Sequence, residues 1–313
     1  MYSERNEMKY LAYSVLVCSI IFRLITTFLF SGTVIEDNGN VCIWKIESDS
    51  NSVYLMGSIH FLQENDYPLP RQFYTTFKDA ENVVFELNYD STQTPAFQQT
   101  TLLKAFCPEG ETFQTMVSDS TYDITRKTLL EFGTPLAQLQ QFEPWFVAIT
   151  MLSLKLQQYG FDSKCGVDQY FLNKSKEEGK TILAFETPEY QMELLESLGG
   201  ENQEDFLLKT IDELDEMETS FTDLVDAWKL ADLQKLDDLI NAGFEEYPEL
   251  KQSLLLDRNY AWLDEIIDFT NDNEDYVIIV GSGHLAGDEG LVSLLRNKGY
   301  HVEQVKIDEK AGE

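Results

Sequence analysis

Two segments of this chain carry the same pattern, Gly-Ser-x-His, at the end of an apolar run. Val53-Tyr54-Leu55-Met56 leads into Gly57-Ser58-Ile59-His60, and Val277-Ile278-Ile279-Val280 leads into Gly281-Ser282-Gly283-His284. The chain has three histidines, so the two motifs hold most of its imidazole. A buried strand that breaks at glycine brings its histidine to the carboxyl end of a sheet, where α/β folds gather ligands. An imidazole there serves as a metal ligand or as a general base. Two carboxylates follow the same placement: Glu86 after Val83-Val84-Phe85, and Glu186 after the run 181–185. Together, His60, His284, Glu86 and Glu186 form a donor set suited to a first-row divalent metal with open positions. Such an ion would acidify a bound water and polarise a carbonyl, with Glu86 as ligand or general base. Arg258, in the helical stretch 257–269, would stabilise a developing oxyanion or clamp a substrate carboxylate.

Each of these residues also has a plainer role. Glu86 would cap or pair at a strand end, Glu186-Thr187-Pro188 would start a helix, and Arg258 would pair with an acidic surface. Asp168 reads mainly as a residue of a helix N-terminus, and His301 as structural.

The elements that must position this set alternate in type. Residues 41–46 and 53–56 predict a hairpin, followed by a loop with Pro68 and Pro70, an amphipathic helix over 71–79 and a buried strand over 82–87. The order strand, His60, helix, strand, Glu86 resembles a βαβ unit. A turn and a short helix are expected over 108–116 and an amphipathic helix over 119–132, and Pro144 opens a long apolar helix to about residue 159. Gly166-Val167-Asp168 starts a helix through Lys176, before a strand over 181–185 and a helix containing Gln191. Leu207, Ile211, Leu214, Met217 and Phe221 recur every three or four residues, marking the apolar face of a packing layer or a helical cap. Strand, turn, helix and strand then close the chain over 276–307. The expected fold is α/β: a mixed sheet from two duplicated halves, flanked by helices, with a helical middle or cap region, in one domain over 38–308.

Composition narrows the partners. With 23 Lys and Arg against 55 Asp and Glu, the formal net charge is −32, which repels phosphate backbones and argues against nucleic acid. There is no P-loop and no strict G-x-G-x-x-G, so a nucleotide is not expected. At the N-terminus, Lys9, the apolar runs 11–22 and 24–30 around Arg23, and Ser31-Gly32 read as a signal peptide or an uncleaved membrane anchor over residues 1–32, the anchoring part being 10–31. Either places the remainder in the periplasm or outside the cell. Beyond that leader stand Cys42, Cys107 and Cys165, enough for one disulfide and one free thiol.

Several patches, in order, resemble the TraB/GumN family, whose relatives include the Tiki-type metalloproteases. They are Gly57-Ser58-Ile59-His60 with Pro68-Leu69-Pro70, Val84-Phe85-Glu86-Leu87, Gly166-Val167-Asp168, Glu186-Thr187-Pro188 with Gln191, Arg258-Asn259 with Trp262, and Val280 to Leu285 running on to Gly299-Tyr300. The resemblance maps the family's paired histidine motifs onto His60 and His284 and its strand-end glutamate onto Glu86. It implies a fold of duplicated halves and, for Tiki-like members, peptide hydrolysis supported by a divalent metal such as manganese or cobalt, with zinc the further candidate. The expectation is therefore an exported metal-dependent hydrolase, a peptidase acting on a peptide or protein. The alternatives are a non-catalytic protein binding metal, haem or peptide on the same fold, and a metal-independent hydrolase like the erythromycin esterases with His60 as base.

Overall fold

Six apolar runs become strands: β1 (Asn40–Ile46), β2 (Val53–Ser58), β3 (Asn82–Leu87), β4 (Thr181–Glu186), β5 (Tyr276–Gly281) and β6 (Val302–Lys306). The computed structural model describes residues 39–87, 102–198, 202–245 and 247–307. The expected leader over residues 1–32 lies outside them. The strands form one mixed sheet in the order β4-β3-β5-β2-β1-β6, so the expected α/β class is the one observed.

β1 and β2 form the expected hairpin, antiparallel, with Ile43 opposite Met56. β2 and β3 each run parallel to β5, which puts the two Gly-Ser-x-His motifs on neighbouring strands, Gly57 opposite Val280 and Ser58 opposite Gly281. The βαβ-like unit read from the sequence is thus split: β5, some two hundred residues away, inserts between β2 and β3. Its residues explain the choice. Every position of β5 and of β3 is buried, as interior parallel strands require, whereas β4 and β6 carry partly exposed residues and lie at the edges.

The chain divides into two compact units. One comprises the described residues 39–87, 162–185 and 219–307, and carries the sheet. Its aromatic core joins Phe73 and Phe77 of the helix Arg71–Asp79 to Phe171, with ring centroids 6.5 and 5.0 Å apart. The other comprises described residues 102–161 and 186–218. Its central helix, Pro144–Gln158, begins with proline and buries the whole stretch from Pro144 to Ser153, against the helix Gln203–Glu213. Among the described residues no helix is long and apolar enough to cross a membrane.

The disulfide expected among three cysteines does not form: Cys42, Cys107 and Cys165 are all free thiols. Cys42 is sealed inside β1, where a Cβ on Gly57 would strike its sulfur, and burial pushes its thiol pKa far above the usual range.

Candidate functional site

His60 lies just beyond β2, and its backbone is clamped by the segment that opens the helix Val167–Glu178. The Val167 N–H donates to the Ile59 carbonyl at 3.0 Å, and Gly166 passes so close to His60 that a Cβ would collide with its carbonyl. Only glycine permits this approach. The clamp delivers Asp168, whose Oδ1 accepts from His60 Nδ1 at 3.0 Å, with both side chains buried. A carboxylate on Nδ1 fixes the proton there and leaves Nε2 as the reactive nitrogen. Among the described residues Nε2 makes no hydrogen bond.

The second motif builds a different environment. His284 Nδ1 stands 2.7 Å from Asn259 Oδ1, and the Asn259 amide nitrogen is committed to the Glu289 carbonyl at 2.9 Å. Asn259 therefore accepts, and His284 Nδ1 carries the proton. Nε2 then accepts from Arg258 Nη1 at 3.1 Å. The same Nη1 donates to the Leu254 carbonyl at 2.9 Å, and Nη2 donates to Glu86 Oε2 at 2.7 Å. Leu254 belongs to a π-helical turn, Gln252–Leu256, where Asp257 N–H bonds back to Gln252. This wider turn, immediately before the helix Asp257–Thr270, presents the Leu254 carbonyl to the guanidinium. The other Glu86 oxygen accepts the Gly281 backbone N–H at 2.5 Å and lies 3.8 Å from His284 Nε2. Trp262 completes the enclosure, with its ring 4.7 Å from the Arg258 guanidinium carbon and 4.5 Å from the His284 ring. Arg258 is 0% exposed.

Charge follows from this wiring. Burial alone would disfavour ionised Glu86, but the Arg258 guanidinium, with lesser help from the imidazoles and the Gly281 N–H, holds its carboxyl down to about 2. Burial pushes His284 down to about 3, with Arg258 and His60 adding to it against the pull of Glu86, so this imidazole is neutral. His60 moves the opposite way. Burial lowers its pKa, but the charge and hydrogen bond of Asp168 and the charge of Glu86 outweigh burial and Arg258, and the imidazole sits above its usual value. Two histidines in matching motifs thus differ in basicity, because one has a carboxylate behind it and the other a neutral amide.

The sheet unit places His60, Glu86, Arg258 and His284 near one another, with Asp168 and Asn259 beside the two imidazoles. Asp168 reads from sequence mainly as a helix start, and its role depends on His60, a partner 108 residues away. Asn259 appears in the sequence only as the neighbour of Arg258, and that adjacency on one helix was the available signal. Glu186 ends β4 and begins the other unit, where its Oε2 accepts from Gln191 at 3.1 Å.

The donor set does not fit a divalent cation as it is arranged. A metal requires lone pairs at about 2 Å. His284 Nε2 and both Glu86 oxygens are occupied by N–H donors, two of them from a guanidinium that repels a second cation. Among the described residues no group of three His, Cys, Asp or Glu is placed to hold a metal.

A sequence profile described as the TraB/PrgY/gumN family matches residues 42–304, a span that holds every residue of the cluster. The uncharacterized protein YbaP of Escherichia coli K12 is 24% identical over 246 residues, covering 78% of this chain and 87% of its own. YbaP of Shigella flexneri matches to the same extent. No solved structure matches.

Proposed function

Taking as premise that the chain belongs to the TraB/PrgY/gumN family, we propose that it is a hydrolase of a carbonyl substrate, a peptide or an ester, with His60 as general base. The single observation that carries this reading is the His60–Asp168 pair, which leaves Nε2 unbonded beside a buried cluster of fixed charge. Nε2 takes a proton from the attacking water, Asp168 steadies the imidazolium that forms, and Nε2 then returns a proton to the leaving group. This is a positioned base of raised strength, the pairing that such chemistry uses. Arg258 contributes through its charge: both Nη1 hydrogens are engaged, so its part is to hold Glu86 and His284 in place. No step of this scheme runs through a metal.

Metal-dependent peptidase action is the second reading. It is favoured by the closeness of His284 Nε2 and Glu86 Oε1, 3.8 Å, and requires Arg258 to withdraw. Both versions place the reaction outside the cytoplasm, an assignment that rests on the apolar runs 11–22 and 24–30. Non-catalytic binding is the outcome if no turnover is found. The test is a screen of a peptide pool and of nitrophenyl esters with wild type and His60→Gln, each with and without a chelator. Turnover that disappears in His60→Gln and survives the chelator supports the proposal. Turnover abolished by the chelator and restored by manganese, cobalt or zinc would overturn it in favour of the second reading.

A further inference from the structure

The wiring around His284 bears on more than catalysis. Its proton is fixed on Nδ1 by Asn259, so Nε2 presents its lone pair, which Arg258 Nη1 meets beside Glu86. His60 is held in the same sense by Asp168, through Nδ1. Outer hydrogen bonds of this kind are what orients imidazoles toward a metal. A cation does stand among these groups, but it belongs to the protein. Arg258 Nη1 sits 3.1 Å from His284 Nε2 and Nη2 sits 2.7 Å from Glu86 Oε2.

We infer that the Arg258 guanidinium is a built-in substitute for a metal ion, so that Arg258 and a divalent cation are mutually exclusive partners of His284 and Glu86. Three features support the exclusion. An imidazole nitrogen has one lone pair, and it accepts either a hydrogen or a metal. The guanidinium is pinned by the Leu254 carbonyl of the π-helical turn and by the face of Trp262, so it does not swing aside freely. Arginine also keeps its charge at any working pH, so protonation cannot clear the position. Wild-type protein therefore binds divalent metal weakly, and removing the guanidinium frees the preoriented pair of His284 Nε2 and Glu86, 3.8 Å apart. This inference concerns binding alone and stands whether or not the hydrolase proposal holds.

The experiment is a titration of purified wild type, Arg258→Met, Arg258→Lys and the double variant Arg258→Met/His284→Gln with cobalt(II). Calorimetry gives stoichiometry, and visible absorption reports nitrogen ligation. Arg258→Met is expected to bind one equivalent roughly 100-fold more tightly than wild type, with loss of that gain in the double variant. Arg258→Lys keeps a cation at the position and is expected to remain closer to wild type. One equivalent bound by wild type with a dissociation constant below about 1 μM would overturn the inference. So would folded Arg258→Met that binds no better than wild type. Should Arg258→Met fail to fold, the wild-type titration decides: weak or unsaturable binding supports the inference, and stoichiometric binding ends it.

Discussion

Replacing Arg258 by Met should cost stability through the charge it leaves behind. Met keeps much of the arginine stem, so the main loss is the guanidinium. Glu86 is buried, and in the wild type its carboxyl lies at about 2 against an ordinary 4.5. That gap corresponds to about 3 kcal/mol of preference for the ionised form. Breaking one side of a buried ion pair commonly costs about 3–5 kcal/mol, because the other charge stays buried without a partner. The expected loss for Arg258→Met at pH 7 is therefore about 3–4 kcal/mol, large against the stability of a typical domain but not beyond it. Its pH dependence has a definite sign. In wild type the Glu86 contribution is present above pH 4.5 and is lost as pH falls toward 2. In the variant, burial acts without the guanidinium and raises the Glu86 pKa above its ordinary value. The folded variant then takes up a proton more readily than its unfolded chain, and its deficit narrows between pH 7 and pH 5. Urea titrations followed by tryptophan fluorescence at both pH values measure this, since Trp262 lies against Arg258. The double variant Arg258→Met/Glu86→Gln should recover about half or more of the loss. A single variant within 1 kcal/mol of wild type, or a double variant no better than the single, would refute a charge-based role for this pair.

Other perturbations read different parts of the site. His284 has its folded pKa at about 3, below the unfolded 6.5, so its stabilising contribution is full above pH 6.5 and is lost as pH falls toward 3. From pH 7 to pH 5 that alone removes about 2 kcal/mol, and His284→Gln should lose correspondingly less over the same interval in paired urea titrations. Asp168→Asn should keep the hydrogen bond but remove the charge that raises the His60 pKa. The acid limb of the pH–rate profile then moves to lower pH and kcat falls about 100-fold, whereas an unmoved limb would show that His60 is not the titrating base. Gly166→Ala drives a Cβ into the His60 carbonyl and should cost about 1–3 kcal/mol by thermal or urea denaturation, with turnover lost more steeply than stability.

The cluster was legible in part because strands announce themselves by composition. Continuous apolar runs ending in glycine or glutamate gave His60, Glu86 and His284 their common place at strand ends, and β2, β3 and β5 all form within a residue or two of the expected spans. What these residues do to one another was not legible. The insertion of β5 between β2 and β3 makes Glu86 a neighbour of Gly281, and no local periodicity encodes which buried strand pairs with which. Asp168 looks like any acidic residue at a helix start until Gly166 lets the backbone close on His60.

The sequence by itself determined the inventory: an α/β chain with two equivalent histidine motifs, strand-end carboxylates and one arginine on a nearby helix. That information is local, carried by burial patterns and by glycine's freedom to turn. Only the tertiary structure decided that the two histidines are unlike, one backed by a carboxylate and basic, the other backed by an amide and neutral. It also decided that Arg258 lies fully buried inside the cluster, bonded to Glu86 and His284. The physical reason is that pKa, lone-pair occupancy and charge compensation depend on what lies within a few ångströms across the fold, and those neighbours come from segments 25 to 195 residues apart.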